Sequence, residues 1–310
     1  MEYVTLGKTG LQASVLGLGG GGHSRLGQQT GATEAESAAI VGRALELGVN
    51  FVDTAEAYGT EAIVGAALSS ARRQDIILST KKSVSTQGRL ITAAELVSGL
   101  EAGLARLRTD YVDIYHLHGV RDEQYDHAVA ELMPAMLQLR AAGKIRFLGI
   151  TEAFGVDTGH QMLARAVHDD WDVVMVGFNI LNQSARERVL AETRRRGIGV
   201  LCMFAVRDAL SRPEKLRETI GKLVQQGLIE QGALDPQNPL DFVEQAAESL
   251  PDAAYRFCRA EPGIHVVLSG TGNPAHLEQN VASILRPPLP DSIRARLVEL
   301  FGQIDTVSGQ

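Results

Sequence analysis

A chain of 310 residues, 45% hydrophobic and 22% charged, can bury a large core; it is long for one ordinary domain and normal for a closed barrel of alternating strands and helices. Its net charge of -7 at pH 7 gives no general attraction to nucleic acid or to an anionic membrane, so neither is expected as a partner. The two cysteines, Cys202 and Cys258, are far apart and lack ligand spacing, which argues against a disulfide framework and a metal site and fits a reducing cytoplasm.

The opening MEYVTLGKTG lacks the unbroken apolar core of a signal peptide, and no later run is long enough to span a bilayer, so a soluble, cytoplasmic protein is expected. Residues 3–6 and 11–16 are β-prone runs around the glycine-bounded turn 7–10, which reads as a hairpin. Residues 17–22 are nearly all glycine. Such a stretch lets backbone approach a ligand closely, which makes Gly20 a candidate cofactor contact, but it lacks the spacing of a dinucleotide-binding fingerprint; a flexible linker is the plainer reading.

Strand and helix then alternate without a break. The pattern predicts helix 34–47, strand 51–53, helix 61–71, strand 76–80, helix 93–107, strand 111–117, helix 128–142 and strand 145–150. It continues with helix 159–167, strand 173–178, helix 184–196, strand 198–203, helix 242–260, strand 264–268 and helix 274–285. Together with the strand before the glycines these form eight strand-helix units. Right-handed crossovers make the sheet parallel, and at this length it is expected to close as a (β/α)8 TIM barrel with an N-terminal β-hairpin, one domain over 1–310. Residues 204–240 are a long insertion, either a cover for a ligand or an ornament, and 291–304 an extra C-terminal helix over one flank.

In such a barrel the C-terminal strand ends converge on one mouth. Asp53 ends the second strand in GVNFVDTAEAYG, Tyr58 lies just beyond it, Lys81 follows the third strand and His118 closes the fourth in DYVDIYHLH. A tyrosine with an ordinary pKa of about 10 is a poor proton donor at neutral pH, and a nearby ammonium is expected to lower it. Lys81 can supply that charge, and Asp53 the anion a buried ammonium needs. Lys82 and His116 are neighbouring alternatives. Strand alternation lets only one of Lys81 and Lys82 face the lumen, does not separate His116 from His118, and puts Asp113 on the opposite face as a structural residue.

DTAEAYG, LSTK, DIYHLH, GKIRFLGIT and the leading hairpin together make the chain resemble the aldo-keto reductase superfamily over almost its whole length. The resemblance implies hydride transfer between NADP(H) or NAD(H) and a carbonyl carbon, with Tyr58 as acid, Lys81 tuning it, Asp53 orienting Lys81 and His118 positioning the carbonyl. It selects Lys81 over Lys82 and His118 over His116. It also implies cofactor contacts at Thr151 and Glu152, where the family usually has Ser-Asn, at Met175 in place of a Gln, and at Met203 in place of a stacking aromatic, with Phe204 the alternative stacker. Near the C-terminus, SGTGNPAHLEQN resembles the adenosine-phosphate segment through Gly270, Thr271, His276 and Asn280, with Gly270 and His276 where many NADP-dependent members carry Lys and Arg. Weak discrimination between NADP and NAD follows. The implied substrate is a small-molecule aldehyde or ketone first, a sugar for an NAD-linked aldose 1-dehydrogenase second; a nicotinamide-binding regulatory subunit with little turnover is third.

Overall fold

The computed structural model describes residues 1–69 and 71–310. Its first element is an antiparallel hairpin, β1 (Tyr3–Thr5) with β2 (Gln12–Ser14), turned by Gly7–Thr9. Leu6, Leu11 and Ala13 of the hairpin are buried in one cluster with Phe51, Ile77, Ile114, Val173 and Val266, residues at or near the starts of barrel strands. The hairpin therefore plugs the N-terminal end of the barrel with apolar side chains, and what remains open is the other end.

The barrel strands are β3 (Leu16–Gly19), β4 (Phe51–Asp53), β5 (Ile77–Ser83), β8 (Val112–Val120), β9 (Ile145–Glu152), β10 (Val173–Gly177), β11 (Gly199–Met203) and β12 (Val266–Ser269). All neighbours run parallel, and β12 pairs with β3 through Val267 and Leu16 to close the ring. Between β5 and β8 a small antiparallel hairpin, β6 (Ser85–Thr86) with β7 (Arg89–Leu90), rises beside the mouth. Its two-residue strands are too short to carry a periodic signal.

Several expected boundaries move, each for a visible reason. The run 11–16 is two strands: β2 ends at Ser14, whose N–H is taken by the Asn50 side chain at 2.7 Å, and the chain then changes partners to enter the barrel as β3. The glycines that follow are consequently not a linker. Gly17 and Gly19 are strand residues, and a Cβ on Gly17 would lie 2.8 Å from the Leu268 side chain, so lumen packing leaves no room for one. The expected helix 242–260 breaks into Asp241–Glu244 and Leu250–Arg259, because Ser249 caps the second piece by accepting from the Asp252 N–H and Pro251 sits in its first turn. The helix expected over 61–71 spans Glu61–Leu68, and Ser70 lies outside the described residues.

The insertion 204–240 folds into Asp208–Ser211 and Pro213–Gln225, the latter burying Leu216, Ile220 and Leu223. The last helix, Asp291–Phe301, buries Leu297 and Phe301. No described helix is long and apolar enough to cross a membrane. Among the described residues no group of three His, Cys, Asp or Glu side chains is placed to hold a metal.

Candidate active site

Short strands deliver long side chains to the open end of the barrel. β4 stops at Asp53, whose carbonyl accepts the Gly20 N–H at 2.6 Å while its carboxylate turns inward. One carboxylate oxygen accepts from Ser79 Oγ at 2.8 Å, the other from Lys81 Nζ at 2.5 Å. Lys81 belongs to β5, which runs three residues past the expected end, and its ammonium also donates to the Thr54 carbonyl at 2.8 Å. Both members of the ion pair are buried. Burial alone would lower the Lys81 pKa, but the Asp53 charge and the hydrogen bonds outweigh it and hold the ammonium protonated.

Tyr58 ends the turn Glu56–Tyr58 and lays its ring across the pair, 4.9 Å from the Lys81 nitrogen to the ring centroid. The ring is seated against Gly21, where a Cβ would come within 2.6 Å of it; that close approach is why the glycine run matters to the site. On the other side Tyr58 OH meets His118 Nε2 at 3.3 Å, the two rings edge to face at 5.3 Å. His118 owes its aim to a bulge: β8 and β9 lose register between Leu117 and Val120, and Gly119 sits at φ 62°. The Thr151 hydroxyl accepts the Gly119 N–H at 2.7 Å and so fixes the bulge.

Asp53, Tyr58, Lys81 and His118 thus meet at one place, and the alternatives lie elsewhere. Lys82 points outward to Glu56 at 2.6 Å. His116 is deeper, its Nδ1 3.3 Å from Ser79 Oγ and its ring filling the space over Gly149, where a Cβ would be 2.4 Å away. Asp113 binds Arg73, Arg146 and the Leu78 N–H at 2.7 to 2.9 Å, a structural set on the barrel's outer face.

One electrostatic expectation is overturned. Tyr58 is not acidified: burial pushes the phenol pKa up, and the Lys81 charge, which pulls it down, is itself offset by Asp53. The phenol therefore keeps its proton. His118 moves the other way, burial and then the Lys81 charge taking its imidazole down to about 3. It is neutral in the folded chain, whereas in the unfolded chain it takes up a proton near 6.5. This contribution to stability is complete above about 6.5 and is lost as the pH falls toward 3, the unfolded state binding the extra proton. Melting temperature measured across that window is expected to drop less steeply in His118→Gln than in the parent chain; identical slopes would remove His118 from the balance.

The mouth opens into a cavity of about 650 Å³ lined by Tyr58, His118, Thr151, Glu152, Met175, Met203 and Phe204. Of the insertion, Phe204 is the part that lines it among the described residues, which limits the insertion's role as a cover. Phe204 sits at φ 64°, its ring stacked 6.2 Å from Phe154 with the Arg207 guanidinium 3.9 Å over it. The remaining cofactor candidates form a second group beside β12. Gly270 would place a Cβ 3.3 Å from the Gly19 carbonyl, Thr271 accepts from the Asn273 N–H, and Asn280 donates to Ser269 Oγ at 2.9 Å. His276 is exposed on the helix Pro274–Leu285. Gly20, with its N–H on Asp53, joins the two groups. Sequence reasoning missed Gly21, Phe154, His160 and the β6–β7 hairpin residues Arg89 and Leu90 at the mouth; only the glycine run carried a signal for one of them.

Comparison with known proteins agrees with this geometry. The model of the Aldo/keto reductase family matches residues 16–300. L-galactose dehydrogenase of Arabidopsis thaliana is 29% identical over 299 residues, 92% of this chain and 88% of its own. NADH-specific methylglyoxal reductase of Escherichia coli is 25% identical over 324 residues, covering 92% and 94%. Among solved structures, the holo form of aldo-keto reductase AKR11C1 from Bacillus halodurans is similar with a TM-score of 0.72 and 25% identity over 97% of this chain and 96% of that one.

Proposed function

Because the chain belongs to the aldo/keto reductase family, enzymes that use NAD(P)H to interconvert carbonyls and alcohols, we propose that Asp53, Tyr58, Lys81 and His118 divide the proton-handling work at its mouth. The bound nicotinamide supplies the hydride. The chain's own residues do the rest: a carbonyl oxygen lodged between Tyr58 OH and His118 Nε2 accepts from both, and Tyr58 gives up its proton as negative charge forms on that oxygen. Lys81 steadies the phenolate that remains, and Asp53 keeps the ammonium in place. The 3.3 Å approach of Tyr58 OH to His118 Nε2 above the Lys81–Asp53 pair carries this reading.

The cavity suits a flat ring bearing an amide. Met175, Met203 and Phe204 offer apolar walls, Thr151 and Glu152 polar edges, and His118 Nδ1 is buried without a partner. At the β12 end, Gly270 and His276 put no lysine or arginine where a 2′-phosphate clamp is usual in the family, so we assign weak discrimination between NADP and NAD. The substrate is a small carbonyl compound. Oxidation of a free aldose at its first carbon is the second reading, supported by the likeness to L-galactose dehydrogenase. Two buried free thiols, Cys202 and Cys258, suit the cytoplasm.

Two assays separate these outcomes. Oxidation of NADPH and NADH with methylglyoxal and simple aldehydes is expected to proceed, with Kd values for the two cofactors by calorimetry within about tenfold of each other. Reduction of NAD with free aldoses but no aldehyde reduction would favour the second reading, and binding without turnover on either panel would refute catalysis. Tight NADP-selective binding would refute the cofactor assignment alone.

A further inference from the structure

A buried carboxylate in the cavity wall takes no part in this proton transfer. Glu152 ends β9 with its side chain enclosed, yet it borders the cavity. Its oxygens accept from His160 Nδ1 at 2.9 and 3.0 Å, and one of them accepts the Gly177 N–H at 2.7 Å. His160 is held just as firmly. It enters its helix at φ 61°, a backbone state that a non-glycine residue keeps only where its surroundings over-determine it, and its ring stacks on Phe154 at 5.3 Å and 14°. Phe154 in turn packs so closely on Gly177 that a Cβ there would lie 2.3 Å from the ring.

The charge of this pair follows from its hydrogen bonds. His160 Nε2 is buried without a partner. A bare lone pair there costs less than a stranded N–H, so the proton belongs on Nδ1 and donates to Glu152, whose two oxygens both act as acceptors, as a carboxylate's do. Among the described residues no lysine or arginine forms an ion pair with Glu152; besides His160, the group acting on its charge is Asp157, also negative. Burial accordingly pushes the carboxyl pKa up, against the pull of His160. The wall holds a negative charge that is oriented but not neutralised.

We propose that Glu152, positioned by His160, makes the mouth bind the cationic, oxidised nicotinamide in preference to the neutral, reduced one, and so by linkage shifts the balance on the enzyme toward the oxidised cofactor and carbonyl reduction. The inference rests on nicotinamide occupying the mouth. The two cofactor forms differ there by one positive charge, which a fixed carboxylate in a low-dielectric wall distinguishes without any change in shape. His160 acts through Glu152 and is a positioning residue.

The test is calorimetric binding of NAD+ and NADH to the intact chain, with no substrate present. Glu152→Gln, nearly isosteric and uncharged, is expected to weaken NAD+ about tenfold and to leave NADH within about twofold, so the ratio of the two Kd values shifts by about a factor of ten. His160→Gln, which retains an amide donor for the carboxylate, is expected to keep the parent ratio, whereas His160→Leu loses it. A ratio that stays within about twofold in Glu152→Gln, or equal weakening of both forms, overturns the proposal. If Glu152→Gln fails to fold, the two His160 variants decide, equal ratios overturning it. If neither nucleotide binds the parent chain, the reading of the mouth itself fails, a result distinct from binding with an unmoved ratio.

Discussion

Tyr58→Phe is expected to lower kcat/KM for carbonyl reduction by about a thousandfold or more while the Kd of the nicotinamide cofactor stays within about twofold. The substitution deletes one oxygen. The ring remains to cover Gly21 and to lie over Lys81, so the packing of the mouth is kept and what disappears is the proton and the 3.3 Å contact with His118. No other group at the mouth takes over as donor: His118 is neutral with a pKa of about 3, and the Lys81 proton is held by Asp53. Steady-state kinetics with an aldehyde, paired with cofactor titration, decide the matter. Undiminished turnover with intact binding would remove Tyr58 as the acid. A loss confined to KM would make it a binding group.

Lys81→Met is expected to be the most destabilising single change at the mouth, costing about 3–5 kcal/mol, because it leaves the Asp53 carboxylate enclosed with Ser79 Oγ as its remaining side-chain donor. Asp53 can relieve this by taking up a proton, which makes the variant's stability recover as the pH is lowered, the reverse of the parent's trend through the His118 window. The double change Asp53→Asn with Lys81→Met removes both charges and is expected to restore most of the stability but none of the activity. Urea denaturation of the parent, Lys81→Met, Asp53→Asn and the double variant measures the coupling between the two sites. A single variant as stable as the parent would mean that the pair contributes nothing to the fold and that its purpose is chemistry alone.

The strand ends that carry Asp53, Lys81 and Lys82, and His116 and His118 were readable from the chain, because a barrel sends the ends of its strands to one place and strand ends are marked by local pattern; the family resemblance then picked Lys81 and His118. The same local signal could not set the finer boundaries. The run 11–16 divides where the Asn50 side chain captures Ser14, a partner 36 residues away. The aim of His118 depends on a bulge fixed by Thr151, a residue of the adjacent strand.

What the sequence determined by itself is the alternation of two-residue and helical periods, since each element must bury its own apolar face, and with that the eight-stranded barrel and the strand ends at its mouth; the choice of Lys81 over Lys82 and of His118 over His116 came from the family resemblance. The tertiary structure alone decided how those residues behave: the phenol that keeps its proton, the imidazole that refuses one, and the Glu152 carboxylate held by His160 in the wall. Periodicity is a property of neighbours in the chain. Desolvation and hydrogen bonding depend on everything that packs around a group, and those surroundings exist only once the barrel has closed.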